Sequence, residues 1–574
     1  MAALSSEHSS PGDSTSFYSV PEGNSTTASS PLNSDPSPYR EARQFGYTLK
    51  QAIKISLEEK TYLSGLNLCR SALAAGASKR KNHAKPRPVP IPPPRHLALI
   101  ATLAVHPEQT TRAEKGSQTV VSSHALDYLC SLLRIVGPLH ADFRDAFQFL
   151  HLGRPGRRSG YNSHGNNSDL SDCEAESDAA DRLRGKLANE SSLWHRGRDL
   201  WSVLGWALNC SSLYPQRWRY WKPWLEFMAD VLEADWRERE RQDLDAYEAD
   251  GSVGEVPLTL RHDSMIAMYM DEPQGGRRGS PKLFVKAILA DGSDLSSAAF
   301  PEVFEKEPRG RKKESRKRKR ESINIESGNF GDYLDDDAIS SGGSEPPTPQ
   351  KARSSGRPPR ETTFGEQHAG FVESIDIRLR LFKLLSLALW QFRKLDEMDD
   401  LYIEFAAGLR LLSLPAFALV VTQRQNALIP ETHTTVLKAL FHHLLSRYKQ
   451  PALVDPEAEQ AAALSSIMLA RCYALHAANS TSAEDNAKLS IAIESALQLI
   501  WMSNKVGNNR ELRELVAAVE TGIAARENKV KVKRKSGKNT AGAAEAMAQD
   551  MLSNSSERLR MLLDVIQATH GAAA

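Results

Sequence analysis

The stretch IDIRLRLFKLLSLAL, residues 375–389, determines the fold class of this chain. Its apolar side chains recur at intervals of three and four residues, at Ile375, Leu379, Phe382, Leu385 and Leu389. Side chains with this spacing share one face of an α-helix, because the helix turns once in about 3.6 residues. The stretch therefore predicts an amphipathic helix that buries this face against a neighbour.

The same spacing recurs elsewhere in the chain. A second apolar stripe comprises Val436, Leu437, Leu440, Leu444 and Leu445. A third comprises Leu126, Leu129, Cys130, Leu133 and Val136, and it ends at the glycine and proline of Gly137-Pro138, a typical helix stop signal. Further stripes cover residues 97–105, 457–475, 486–502 and 510–525. No segment shows the sustained period of two that is typical of strands, so we predict an all-α fold. Its antiparallel helices would form either an irregular bundle or a degenerate HEAT- or TPR-like array.

Polar, low-complexity segments separate two helical blocks. Such segments bury too little apolar surface to offset the roughly 1 to 2 kcal/mol per residue that backbone ordering costs. The predicted order is a disordered N-terminus (1–40), a helical block with a Pro- and Lys-rich loop at 79–95 (41–150), an acidic disordered insert (153–181), a Trp-rich helical segment that packs with the first block (190–271), a disordered linker with a basic cluster (272–370), a C-terminal helical block (371–526), a basic tract (527–540) and a terminal helix (541–570).

The composition is that of an ordinary soluble protein. The 574 residues are 40% hydrophobic and 25% charged, with a net charge of +2. The longest apolar stretch, Leu97 to Val105, falls far short of the roughly 20 residues that span a bilayer. The N-terminal residues also lack the pattern of a secretory signal. The five cysteines are scattered and include no CxxC, which indicates a reducing compartment. We expect neither secretion nor membrane insertion.

Seven of the nine tryptophans lie between residues 194 and 236. Trp218, Trp221 and Trp224 have two interpretations. They form part of a core, since each buried aromatic side chain covers about 150 to 250 Å². Alternatively they bind a partner, because residues 217–222 alternate cations and rings as a base-stacking surface does. The core interpretation is favoured, since helical geometry scatters adjacent side chains around the axis.

A dense basic cluster lies in the predicted linker. It comprises Arg309, Arg311, Lys312, Lys313, Arg316, Lys317, Arg318, Lys319 and Arg320. Nine cations cannot form a core, and the residues 317–320 resemble the short pattern that importin binds, so we interpret the cluster as a nuclear import signal rather than a merely solvated linker. Thr348, followed by Pro349, is a candidate phosphorylation site. The cluster and the lysines of 527–540 also favour weak, non-specific contact with nucleic acid.

No motif for catalysis, metal binding or a cofactor stands out. The residues GKNT at 537–540 lack the upstream glycine of a phosphate-binding loop, and neither HExxH nor GxSxG occurs. The sequence therefore favours a nuclear, non-enzymatic phosphoprotein, a helical scaffold or adaptor subunit in a chromatin-associated or genome-maintenance complex. The alternative is a protein that binds nucleic acid directly, in transcription or ribosome biogenesis. An enzyme on an α-helical fold would require a polar pocket with perturbed titratable groups.

The basic cluster generates a first prediction. Replacing Lys317, Arg318, Lys319 and Arg320 with alanine should shift a fluorescent fusion of the protein from the nucleus to the cytoplasm, because importin recognises successive cationic side chains. Fluorescence microscopy measures the shift. The interpretation fails if the quadruple variant stays nuclear and the isolated 305–325 segment cannot import a reporter.

Overall fold

The computed structural model describes residues 39–77, 87–113, 118–149, 182–251, 256–272, 279–308, 364–422, 427–445, 464–536 and 543–573. These residues form an all-α fold with one short β-ribbon, so the fold class predicted from the helical spacing is confirmed. Residues 1–38 and 150–181, which hold most of the expected disordered N-terminus and all of the acidic insert, lie outside the described residues.

Eleven of the described helices precede residue 309. They are α1 Tyr47–Glu58, α2 Tyr62–Ala77, α3 Pro94–Val105, α4 Gln118–His140, α5 Phe143–Ala146, α6 Leu193–Arg196, α7 Leu200–Leu213, α8 Pro215–Asp250, α9 Met265–Asp271, α10 Pro281–Ile288 and α11 Asp294–Ala299. Local sequence sets several of these bounds. The Asp199 carboxylate accepts from the backbone N–H of Ser202 at 2.7 Å and caps α7. Pro215 occupies the first position of α8, where no backbone donor is needed. Helix α4 is broken at Gly137, as its stop signal predicts.

Eight further described helices follow residue 363. They are α12 Phe364–Gln391, α13 Leu395–Leu411, α14 Leu414–Val421, α15 Pro430–Leu444, α16 Ser466–Met468, α17 Ala483–Met502, α18 Asn509–Ser536 and α19 Ala543–Ala573. Helix α16 continues into a π-helical turn, Leu469–Ala474. Helix α12 begins before residue 371, where the C-terminal block was expected to start, and α18 extends through much of the tract 527–540.

The predicted loop 79–95 contains a strand that the sequence pattern did not indicate. Strand β2, Val89–Ile91, pairs in parallel with β1, Ala42–Gln44. The Val89 N–H donates to the Glu41 carbonyl at 2.8 Å, and the Phe45 N–H donates to the Ile91 carbonyl at 3.0 Å. Three residues per strand are too few to produce a visible alternation, and a proline is tolerated in such an edge strand.

The predicted linker 272–370 is folded in part, which corrects that expectation. Residues 279–308 form α10 and α11 and bury Phe284 and Phe300. Phe300 packs directly over Gly205 of α7, where an added Cβ would lie 2.3 Å from the ring. The segment itself is as apolar as the chain as a whole, and its rings Phe284 and Phe300 pack against Trp201 and Gly205 of α7. The polar composition of residues 272–370 taken together therefore hid its order. Residues 309–363 lie outside the described residues.

The two helical blocks share one hydrophobic core, which runs from Phe45 to Ile566. Helix α12 packs against both α7 and α8. Arg380 of α12 pairs with Asp230 of α8 at 2.7 Å and with Glu233 of α8 at 2.8 Å. Arg378 is buried and donates to the carbonyl of Ile288 at the end of α10. The C-terminal helices follow in sequence, α13 against α15, α15 against α17 and α17 against α19.

The chain leaves the described fold after residue 308 and rejoins it at residue 364, and both flanks are fixed to the start of α8. Glu307 accepts hydrogen bonds from Arg217 Nε at 2.8 Å and from Trp221 Nε1 at 2.6 Å. Glu373 accepts from Trp218 Nε1 and from Lys222 Nζ, each at 3.2 Å. The four donors lie within two turns of one helix, so the two flanks are held near each other.

This arrangement predicts that residues 309–363 are dispensable for folding. Replacing them with about eight Gly and Ser residues, which reach up to ~28 Å, should change the Tm by less than about 2 °C, because both anchors on α8 remain. Differential scanning calorimetry measures the Tm. A fall of about 10 °C or more would show that the removed residues contribute to the core.

Candidate functional site

Trp218, Trp221 and Trp224 lie in α8 and are buried. The indole N–H of Trp221 donates to Glu307 and that of Trp218 donates to Glu373. The indole N–H of Trp224 has no hydrogen-bond partner. None of these three rings is available for stacking on a base, since each is covered by protein. They are part of the core of the fold, as the favoured interpretation holds.

The Glu307 carboxylate accepts four hydrogen bonds within the core. One oxygen accepts from Arg217 and Trp221, and the other accepts from Trp206 Nε1 at 2.8 Å and from the backbone N–H of Phe304 at 3.2 Å. Arg217 and Glu307 also form an ion pair at 2.6 Å, with both side chains almost inaccessible to solvent. We call these residues, Trp206, Arg217, Trp221 and Glu307, the Glu307 cluster.

Arg217 connects this cluster to the end of α3. Its guanidinium donates to Thr110 Oγ1 at 2.6 Å and to the carbonyl of Val105, the last residue of α3, at 2.7 Å. Burial, together with the nearby charge of Arg217, lowers the pKa of His106 to about 3, so this imidazole is neutral at physiological pH. With its acceptors already occupied, the Glu307 cluster is suited to joining helices rather than to acid–base chemistry.

A basic pocket lies on the surface between α1 and the residues that precede α6. It has a volume of about 870 Å³, and its charged lining residues are Lys54, Arg182, Arg184, Lys186, His195 and Glu190. The sequence interpretation missed this site, because it assigned no role to residues 182–189. The signal in the sequence is the alternation RLRGKL at 182–187, which places cations at every second position.

An apolar patch lies at the end of α17 and in the C-terminal half of α19. It comprises Trp501, Met502, Met561 and Val565, of which Met502 is 76% and Met561 63% exposed. The two helices run parallel: Ser490 Oγ and Ser555 Oγ are 3.0 Å apart, and one turn further along both helices Arg558 Nε donates to Glu494 at 2.8 Å. From this register, Met502 lies ~18 Å beyond Ser490, Val565 ~15 Å beyond Ser555 and Met561 ~9 Å beyond Ser555, so Met502 and Val565 end at similar heights.

Helical rotation places Met502, Met561 and Val565 on one side of the α17–α19 pair, whereas Trp501, turned by about 20° from Ser490, faces α19. Relative to the facing serines, Met502 is turned by about 120° in one sense, and Met561 and Val565 by about 120° and 80° in the other. Opposite rotations on two facing parallel helices lead to the same side. Helix α18 covers another side, where its Glu520 pairs with Arg560 of α19 at 3.1 Å. These three residues therefore lie exposed on a side of the pair that α18 does not cover.

The predicted import cluster and Thr348 lie outside the described residues. The structure describes the side chains of two lysines of the basic tract, and both contact protein groups. Lys529 Nζ donates to the carbonyls of Ala478 and Asn479, and Lys531 pairs with Glu527 at 3.5 Å. The cations of this tract therefore contribute in part to the fold, which weakens the argument that they bind phosphates.

No protein-family model, curated protein or solved structure matches this chain. Within the part of the chain that the structure describes, no helix has the length and apolarity to cross a membrane. The same residues include no group of three or more side chains arranged to hold a metal ion.

The Glu307 cluster generates a prediction with an internal control. Trp221→Phe and Trp224→Phe remove the same atoms from neighbouring buried positions, but only Trp221 donates to the carboxylate. Trp221→Phe should therefore lower the free energy of unfolding by about 1.5 to 3 kcal/mol more than Trp224→Phe, the typical contribution of a hydrogen bond to a charged group. Urea denaturation followed by circular dichroism measures both values. Equal losses of unfolding free energy in the two variants would show that the hydrogen bond from the Trp221 indole to Glu307 does not stabilise the fold.

Proposed function

We propose that the protein is a non-enzymatic α-helical scaffold or adaptor subunit of a nuclear complex, chromatin-associated or devoted to genome maintenance, that acts through protein–protein interaction. The apolar patch is the observation that carries this proposal. Large apolar side chains exposed on the same side of a folded protein are typical of sites that bind other proteins. Tryptophan and methionine are enriched in such sites, because a large ring and a flexible thioether adapt to a partner surface.

The position of the Glu307 cluster supports an adaptor with an import signal. Arg309 follows Glu307 by two residues, so the basic cluster starts directly beside a rigid part of the fold. Importin would then bind a segment carried by the folded body at the start of α8, while the apolar patch, on α17 and α19, remains free for a partner. Importin and the proteins of the complex are the proposed partners, with Thr348 as a site where phosphorylation adds charge near the import signal.

A pair of charge substitutions tests the role of the patch. Met502→Asp with Val565→Asp should reduce the recovery of the proteins that co-purify with the tagged protein by at least about tenfold, because each carboxylate would have to lose its hydration at the interface. Affinity purification with quantitative mass spectrometry measures recovery. Leu295→Asp with Leu411→Asp is the matched control, since both leucines are 86% exposed and lie outside the patch.

The proposal predicts that the control variant retains its partners and that both variants keep the wild-type Tm. Equal recovery of every partner by the patch variant would contradict it. Light scattering adds a second test, because a wild-type dimer that the patch substitutions convert to a monomer would show that the patch binds another copy of this chain. Partners that are lost only upon nuclease treatment or added salt would instead favour direct nucleic-acid binding.

A further inference from the structure

We propose that the basic pocket binds a compact anion that carries two or more phosphate groups. This inference is independent of the proposed scaffold function. The pocket is lined by Lys54, Arg182, Arg184, Lys186 and His195, with Glu190 as the single carboxylate of the lining. Such an excess of positive charge in a concave site attracts anions, since the surrounding protein concentrates the field.

Residues 182–187 present their cations on one side. Leu183 and Leu187 are buried, whereas Arg182, Arg184 and Lys186 are exposed. Arg182 and Arg184 lie on either side of the buried Leu183, and Lys186 begins the 3-10 turn Lys186–Ala188 that buries Leu187, so all three cations stay on the exposed side. None of these three cations forms an ion pair with another residue that the structure describes.

The backbone of this segment is fixed before any ligand arrives. The Arg184 N–H donates to Glu58 Oε1 of α1 at 2.9 Å. Asn189 Nδ2 donates to the carbonyls of Leu183 at 3.0 Å and of Gly185 at 2.8 Å. Gly185 has φ 104°, a conformation that favours glycine. Because these contacts already order the loop, binding would cost little further backbone entropy.

His195 adds a second, independent observation. It lines the pocket, and its Nδ1 atom is buried without a hydrogen-bond partner in the described structure. Buried polar atoms rarely lack partners, and those that do often mark a place for a missing water, ion or ligand. When protonated, Nδ1 is a donor suited to a phosphate oxygen, and arginines bind such oxygens through two parallel N–H groups.

Size and lining favour a compact ligand over a nucleic-acid strand. The volume of about 870 Å³ lies within the range of small-molecule sites. The lining contains no Phe, Tyr or Trp on which a base would stack, which a single-strand binding surface typically provides. Phosphate groups clustered on one small molecule match the convergent cations better than a long backbone does. The phosphates of a nucleotide and of a phosphorylated sugar or inositol share this chemistry.

Isothermal titration calorimetry on the full chain tests the proposal. The probes are sodium tripolyphosphate, adenosine triphosphate, inositol hexakisphosphate and polythymidine. Arg184→Gln with Lys186→Gln should weaken tripolyphosphate binding by about tenfold or more, because two charge-assisted contacts are lost. Arg510→Gln with Arg513→Gln on α18 removes the same net charge from another exposed surface and should change the Kd by no more than about twofold.

Each outcome either supports or overturns the binding of a compact phosphate ligand in the basic pocket. Tighter binding of adenosine triphosphate than of tripolyphosphate would assign the pocket to a nucleotide, and tighter binding of inositol hexakisphosphate would assign it to a phosphorylated inositol; both support the proposal. The proposal is overturned if tripolyphosphate does not bind at about 1 mM, or if both double variants weaken it equally. It is also overturned if polythymidine binds more tightly than every compact probe and loses affinity in the pocket variant. The substituted side chains are exposed, so an unchanged Tm confirms that each variant is folded.

Discussion

The fold depends on a carboxylate that has no access to water. Glu307 is fully buried, and a buried charge is tolerated only when its hydrogen bonds are satisfied. Its hydrogen bonds come from Arg217, Trp206 and Trp221, and Arg217 also donates to the end of α3. Removing one partner of such a pair typically costs about 3 to 5 kcal/mol, because the other charge stays buried. The Glu307 cluster thus makes the geometry of α3, α7 and α8 mutually dependent.

The buried Glu307 cluster is distinct from the two candidate binding surfaces. The seven tryptophans between residues 194 and 236 and the Arg217–Glu307 ion pair face inward, where they join helices that are distant in sequence. The basic pocket and the apolar patch lie on the outside, and they differ in chemistry: one presents cations, the other thioethers and a ring. A body held rigid by its core can present two such surfaces at fixed positions. A scaffold requires this property, because its partners bind to surfaces whose relative positions do not change.

The fold class could be predicted from the sequence because it depends on local spacing, as the stripe from Ile375 to Leu389 illustrates. The residue pairs that form between distant parts of the chain could not be predicted in this way. Glu307 stands among many charged residues, and nothing in its neighbourhood indicates that Arg217 and two indoles surround it. For the same reason residues 279–308 were mistaken for linker: Phe300 is ordered by the space over Gly205, which is far away in sequence. The basic pocket was missed because six alternating residues form no recognised motif, although Leu183 and Leu187 mark its inward side.

Hydrogen exchange measured by mass spectrometry on the wild type and on Glu307→Ala tests the central role of the carboxylate most directly. If Glu307 joins α3, α7 and α8, its loss should reduce amide protection in all three helices. The hydrogen bonds that hold these helices together are lost at once, so the helices open more easily. Helix α12, which packs against α7 and α8, should follow to a smaller extent. Loss of protection confined to residues 301–308, with α3, α7 and α8 unchanged, would contradict the account.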